Sequence, residues 1–86
     1  MTRFQVTPQF ARDFRALEGS FSPAEQSLVD ALLVEAVRQP ESPRRIPSFY
    51  DPTRSSWLLR SGPFLVHYAI DDEEDQVVLL NLFRRR

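Results

Sequence analysis

The chain has no cysteine, no lysine and a single histidine among its 86 residues. Without cysteine it can form no disulfide, thiol nucleophile or thiolate metal site. His67 alone cannot hold a metal unless carboxylates join it, so no metal or other cofactor is expected. No apolar run approaches the ~18 residues of a membrane span, and Met1 opens no signal-peptide pattern. The expectation is a soluble, cytoplasmic protein with no membrane partner. Residues 1–86 make a single domain, and a domain of this size buries only roughly 60–65% of the surface of its unfolded chain.

Ten aromatics, seven of them Phe, are available for that core. The net charge of −1 conceals a segregated distribution. Five of the twelve acids form the run Asp71-Asp72-Glu73-Glu74-Asp75, which leaves eleven arginines against seven acids elsewhere. A GC-rich coding sequence would produce an all-arginine bias without any function. The arginine fork does suit phosphate, so composition permits a nucleic-acid partner without arguing for one. The acidic run reads as a solvated turn that discourages aggregation at a sheet edge.

Arg3 to Val6 alternates as a first strand would, and Thr7-Pro8 reads as an N-cap followed by proline at the first helical position. Phe10, Phe14 and Leu17 then recur at helical spacing, up to Glu18-Gly19. Ser22-Pro23-Ala24-Glu25 fits a capping box. In the helix it opens, Leu28, Leu32 and Ala36 form one row and Val29, Leu33 and Val37 the next. Gln39-Pro40 ends it. The short connection predicts an antiparallel helix hairpin. Residues 40–54 carry four of the seven prolines and read as an irregular connection pinned to the core by Ile46, Phe49 and Tyr50. Ser55–Ser61, Phe64–Ile70 and Gln76–Phe83 read as three strands of an antiparallel meander, with the acidic run as the last turn. The fold class is α+β: an N-terminal strand, a two-helix hairpin and a three-stranded meander.

These residues resemble the RelE/ParE toxins of bacterial type II toxin–antitoxin systems. Phe4 to Phe14 is similar to their opening, a strand running into a helix through Thr-Pro. Leu59 to Asp71 looks like their central hairpin, with an arginine and a glycine ahead of an aromatic-X-aliphatic-X-Tyr strand. Phe83-Arg84-Arg85-Arg86 is similar to their basic terminus. The resemblance implies a cognate antitoxin as partner and growth inhibition as the outcome. It leaves two activities open, cleavage of mRNA on the ribosome (RelE-like) or poisoning of DNA gyrase without RNA cleavage (ParE-like). A degenerate, non-toxic binding domain is a third possibility.

Strand alternation assigns the faces. Phe64, Val66, Tyr68 and Ile70 are expected under the helices, with Trp57, Leu59, Val78, Leu80 and Leu82. The open face is then left with Ser56, Leu58, Arg60, Leu65, His67, Ala69, Asn81, Phe83 and Arg85. A ribonuclease working without a metal must deprotonate the 2′-hydroxyl, stabilise a charged phosphorane and protonate the leaving oxygen. Arg60 and Arg85 are the candidate phosphate ligands and His67 the candidate base. Arg84, Arg86 and Asn81 are candidate RNA or target contacts. The resemblance also exposes gaps. Leu65 stands where RelE-like sheets carry an arginine, Ser56 and Leu58 stand where they carry lysine, and no terminal tyrosine follows Arg86. The expectation is therefore a toxin without RNA cleavage. Leu58, Leu65 and Phe83, apolar and outward by this alternation, are the expected antitoxin-binding residues.

Overall fold

The computed structural model describes residues 3–49 and 52–85. β1 (Phe4–Val6) leads into α1 (Pro8–Glu18) and α2 (Pro23–Arg38). β2 (Ile46–Ser48), β3 (Ser56–Ser61), β4 (Phe64–Asp71) and β5 (Gln76–Arg84) follow. The strands form one sheet in the order β1-β5-β4-β3-β2, with β1 parallel to β5 and the other neighbours antiparallel. The expected α+β class and helix hairpin are those observed. β2 lies inside the segment read as irregular, and the pairing of the two chain ends through β1 and β5 could not be read from local pattern.

Thr7 performs two tasks at the point where the chain leaves the sheet. Its hydroxyl oxygen accepts from the Phe10 backbone N–H (3.2 Å), capping α1, and its proton goes to the Leu79 carbonyl (2.9 Å). α2 opens on the predicted capping box, with Glu25 N–H to Ser22 Oγ at 3.1 Å and Ser22 N–H to Glu25 Oε1 at 3.0 Å.

The core lies between the hairpin and one sheet face. Phe10, Val29, Leu32 and Ala36 from the helices meet Leu59, Phe64, Val66, Tyr68, Val77, Leu79 and Leu82 from the strands. Two expectations fail here for one reason. Val78 and Leu80 do not join this cluster, whereas Val77 and Leu79 do. The β4–β5 ladder pairs His67 with Asn81 but Tyr68 with Leu79, so Leu80 is an extra, bulged residue. A bulge inverts the side-chain alternation on either side of it, and simple period-two counting from Leu82 therefore goes wrong below Asn81. Leu28 is also displaced from the expected core and is substantially exposed.

Leu28 instead leans on the β3–β4 turn. Gly62 has φ +56°, and a Cβ there would lie 3.1 Å from Leu28 Cδ1. Gly62→Ala is expected to cost about 1–2 kcal/mol, the left-handed penalty of an L-residue. Most of that cost should persist in a Leu28→Ala background, because the backbone strain outlasts relief of the contact. Urea unfolding of both variants checks this.

The connection after α2 is held by polar and aromatic contacts. Ile46 is 50% exposed and Phe49 90%, so neither pins the segment, and Tyr50 lies outside the described residues. Glu35 accepts from the Ser42 hydroxyl (2.8 Å) and from Arg44 (2.7 and 3.0 Å). The Arg45 guanidinium lies 3.6 Å over the Trp57 ring. Fully buried Tyr68 donates its hydroxyl proton to the Pro40 carbonyl at 2.6 Å.

Burial pushes the Tyr68 phenol up to about 12. A free tyrosine titrates near 10, so the folded state favours the neutral phenol. The Tyr68 contribution is complete below about pH 10 and is lost as pH rises through about 12. Stability measured by denaturant between these limits should fall steeply. Tyr68→Phe should be less stable at neutral pH, by about 1 kcal/mol for the lost hydrogen bond, yet show a flatter alkaline limb.

Candidate functional site

Two surfaces extend beyond the core. The first is a groove of about 630 Å³ bounded by β1, α1 and α2. Phe4 and Val6 supply one wall, Phe10, Ala11 and Phe14 the second, and Leu33, Val34 and Val37 the third. β1 is an edge strand of the sheet among the described residues, and Phe4 (54% exposed) and Val6 leave much of their side chains uncovered in the groove wall. Val34, on the opposite wall, is 51% exposed. Arg15 and Arg38 stand in the rim, and among the described residues no acidic one lines the groove. Arg15 Nε donates to the Ala11 carbonyl at 3.4 Å, which lays it along its own helix. A contiguous apolar concavity between arginines is built for an apolar ligand that carries negative charge at its margins.

The sequence signal for this groove lies in α2. Beyond the two apolar rows already described, Val34 adds a third, giving a helix apolar around most of its circumference. One sheet face absorbs a stripe of that helix, and the surplus marks a second contact.

The second surface is the sheet face away from the helices. Cross-strand partners share a face, so Ile46, Leu58, His67 and Asn81 form one row and Arg60, Leu65 and Phe83 the next. Leu58, Leu65 and Phe83 are half-buried neighbours. Arg60 is exposed, and its Nε donates to the Gly62 carbonyl at 3.2 Å. Arg85 is exposed just past β5, where its backbone N–H reaches the Pro63 carbonyl at 2.6 Å.

His67 departs from the expected open position. It is 3% exposed, with Nε2 at 2.7 Å from Ser56 Oγ and Nδ1 at 2.9 Å from Asn81 Oδ1. Asn81, read as a target contact, is engaged there. Arg84 belongs to the other face. It pairs with Glu25, donates to Ser20 Oγ (2.9 Å) and sits 5.5 Å over the Phe64 ring. The Ser22 backbone N–H, together with Arg84, holds the Glu25 carboxyl below the usual carboxylate range. Arg86 lies outside the described residues. The fold thus brings Arg60, His67 and Asn81 to one face, commits the latter two to each other, and places Arg84 elsewhere.

No protein-family model matches the chain, and no curated protein matches it by sequence. Solved structures do. A chain in the crystal structure of the toxin–antitoxin complex RelBE2 from Mycobacterium tuberculosis superposes with a TM-score of 0.70 at 22% identity, covering 98% of both chains. Two conserved hypothetical proteins from Helicobacter pylori, known from solution structures, are also similar. HP0894 matches with a TM-score of 0.60 at 21% identity and HP0892 with 0.55 at 19%, each covering 98% of this chain and 94% of its own.

Proposed function

We propose that this chain, which has the RelE/ParE toxin fold, is the toxin component of a type II toxin–antitoxin pair and acts without cutting RNA. The observation that carries the partner is the Arg15- and Arg38-rimmed apolar groove. Its fitting occupant is an amphipathic helix of the antitoxin, with apolar side chains every three to four residues against Phe4, Val6 and Val34 and acidic residues along its margins. That the similar RelBE2 structure is a toxin–antitoxin complex supports an antitoxin as the partner. Leu58, Leu65 and Phe83 remain the alternative antitoxin surface, on the opposite side of the sheet.

The absence of RNA cleavage is argued from side chains. A general base needs a lone pair within reach of the proton it removes. The His67 ring is almost fully covered and both of its nitrogens are in hydrogen bonds. Arg60 and Arg85 are exposed cations, but Leu65 leaves an apolar gap beside Arg60, its cross-strand partner. Gyrase or another non-RNA target is therefore preferred to ribosome-bound mRNA.

Expression of the chain alone in a bacterial host should arrest growth, and co-expression with its cognate antitoxin should restore it. In a ribosome-programmed translation assay, mRNA mapped by primer extension should stay intact. Cuts in the A-site codon that disappear in His67→Ala and Arg85→Ala would overturn this reading in favour of an endonuclease using Arg60, His67 and Arg85. Undisturbed growth on expression would favour a non-toxic binding domain.

A further inference from the structure

The outer sheet face holds a polar chain that runs across four elements. Ser56 on β3 meets His67 on β4, His67 meets Asn81 on β5, and Asn81 Nδ2 lies 3.4 Å from Asp13 Oδ2 on α1. The same Asp13 oxygen accepts from the Leu82 backbone N–H at 3.0 Å. β1 ends at Val6, opposite Leu79, so among the described residues this stretch of β5 has a strand only on its β4 side. Asp13 takes the place of the missing strand's carbonyl. The Leu80 bulge is what brings Asn81 opposite His67.

The hydrogen-bonding roles follow from the Asp13 end. An ionised carboxylate only accepts, so the Asn81 group facing it must be the NH₂. Asn81 therefore presents its oxygen to His67, and an oxygen there requires a proton on Nδ1. In the neutral ring Nε2 is then the acceptor, and Ser56, whose hydroxyl turns freely between roles, must donate to it. We infer that Asp13, acting through Asn81, locks His67 as the neutral Nδ1–H tautomer, with Ser56 donating to Nε2, and that this chain is a positioning strut tying α1 to the outer sheet layer. The inference is independent of the toxin reading, because it concerns the ring itself and no bound partner.

His67 is the only histidine in the sequence, so long-range ¹H–¹⁵N correlation of the ¹⁵N-histidine-labelled full chain reports this one ring without assignment. At about pH 8, where a free imidazole is neutral, Nδ1 should resonate as a protonated nitrogen and Nε2 as an unprotonated one. Asp13→Asn should keep that pattern, since its amide oxygen can accept both bonds that Asp13 Oδ2 now accepts. Ser56→Ala should also keep it. Asn81→Leu and Asp13→Leu should lose it, the first moving predominantly to Nε2–H with Ser56 turning to accept, the second giving a mixture as the Asn81 amide flips. A wild-type ring that is Nε2–H or doubly protonated under these conditions overturns the inference even if the leucine variants fail to fold. So does a folded Asn81→Leu variant that stays Nδ1–H, because the lock would then lie elsewhere.

Discussion

Val34→Asp is expected to weaken antitoxin binding by at least about 30-fold, because a central apolar anchor at an interface is worth about 2 kcal/mol or more and each 1.4 kcal/mol is tenfold. The folded chain should barely register the change, since Val34 is half exposed in the free protein. The new carboxylate would place a charge on an apolar wall, where the partner's apolar side chains could not solvate it. Replacing Arg15 and Arg38 together by glutamate should act differently. It should lower affinity most at low ionic strength and reverse the salt dependence, since rim charges steer association, like charges repel, and both are screened within about 10 Å at 0.1 M salt. Calorimetric titration with the antitoxin, alongside thermal unfolding of each variant alone, separates these effects. If Val34→Asp binds normally while Leu65→Asp does not, the antitoxin occupies the outer sheet face at Leu58, Leu65 and Phe83, and the groove assignment fails.

Local chemistry made the helices legible in advance. Thr7-Pro8 and Ser22-Pro23-Ala24-Glu25 fix where each helix starts, and the caps are formed by the atoms expected. Phe64 and Val66 could be assigned to the core because alternation holds through the first half of β4. What could not be read from pattern depends on neighbours distant in sequence. The Leu80 bulge has no signature in an unbroken apolar strand such as Gln76–Phe83, yet it decides that Val77 and Leu79 pack inward. β2 was hidden by Pro47, which an edge strand tolerates but which argues against strand in isolation. Alternation puts His67 on the open face but gives only a direction. Its burial comes from what Ser56 and Asn81 do around it, and Asp13, the end of that chain, lies 68 residues from Asn81. The candidate site was thus half visible. The sequence placed Arg60 and His67 on one face correctly but could not show that the imidazole was already engaged.

Phe64→Ala is expected to destabilise the domain by about 3–5 kcal/mol, the usual cost of removing a large core aromatic. Phe64 is fully buried and is the sheet end of an aromatic chain. Its ring meets Phe21 edge-on at 5.3 Å between centroids, Phe21 meets Phe14 at 6.1 Å, and Phe14 stacks with Phe10 at 6.4 Å. Arg84 lies over the same ring while pairing with Glu25. Truncation would therefore open a cavity beneath the helix hairpin and remove the surface that holds the Arg84–Glu25 pair. A domain of this length has a total stability of roughly 5–13 kcal/mol, so the loss is a large fraction of the whole. It should lower the midpoint of thermal unfolding by about 12–40 °C, at about 4–8 °C per kcal/mol. Phe64→Leu should retain most of the stability, because volume is largely kept. Phe49→Ala is the matched control, removing the same side chain from a site 90% exposed, and its midpoint should move by no more than a degree or two. A small shift for Phe64→Ala beside a large one for Phe49→Ala would mean that the 46–49 segment, and not the helix-facing side of β4, carries the hydrophobic core.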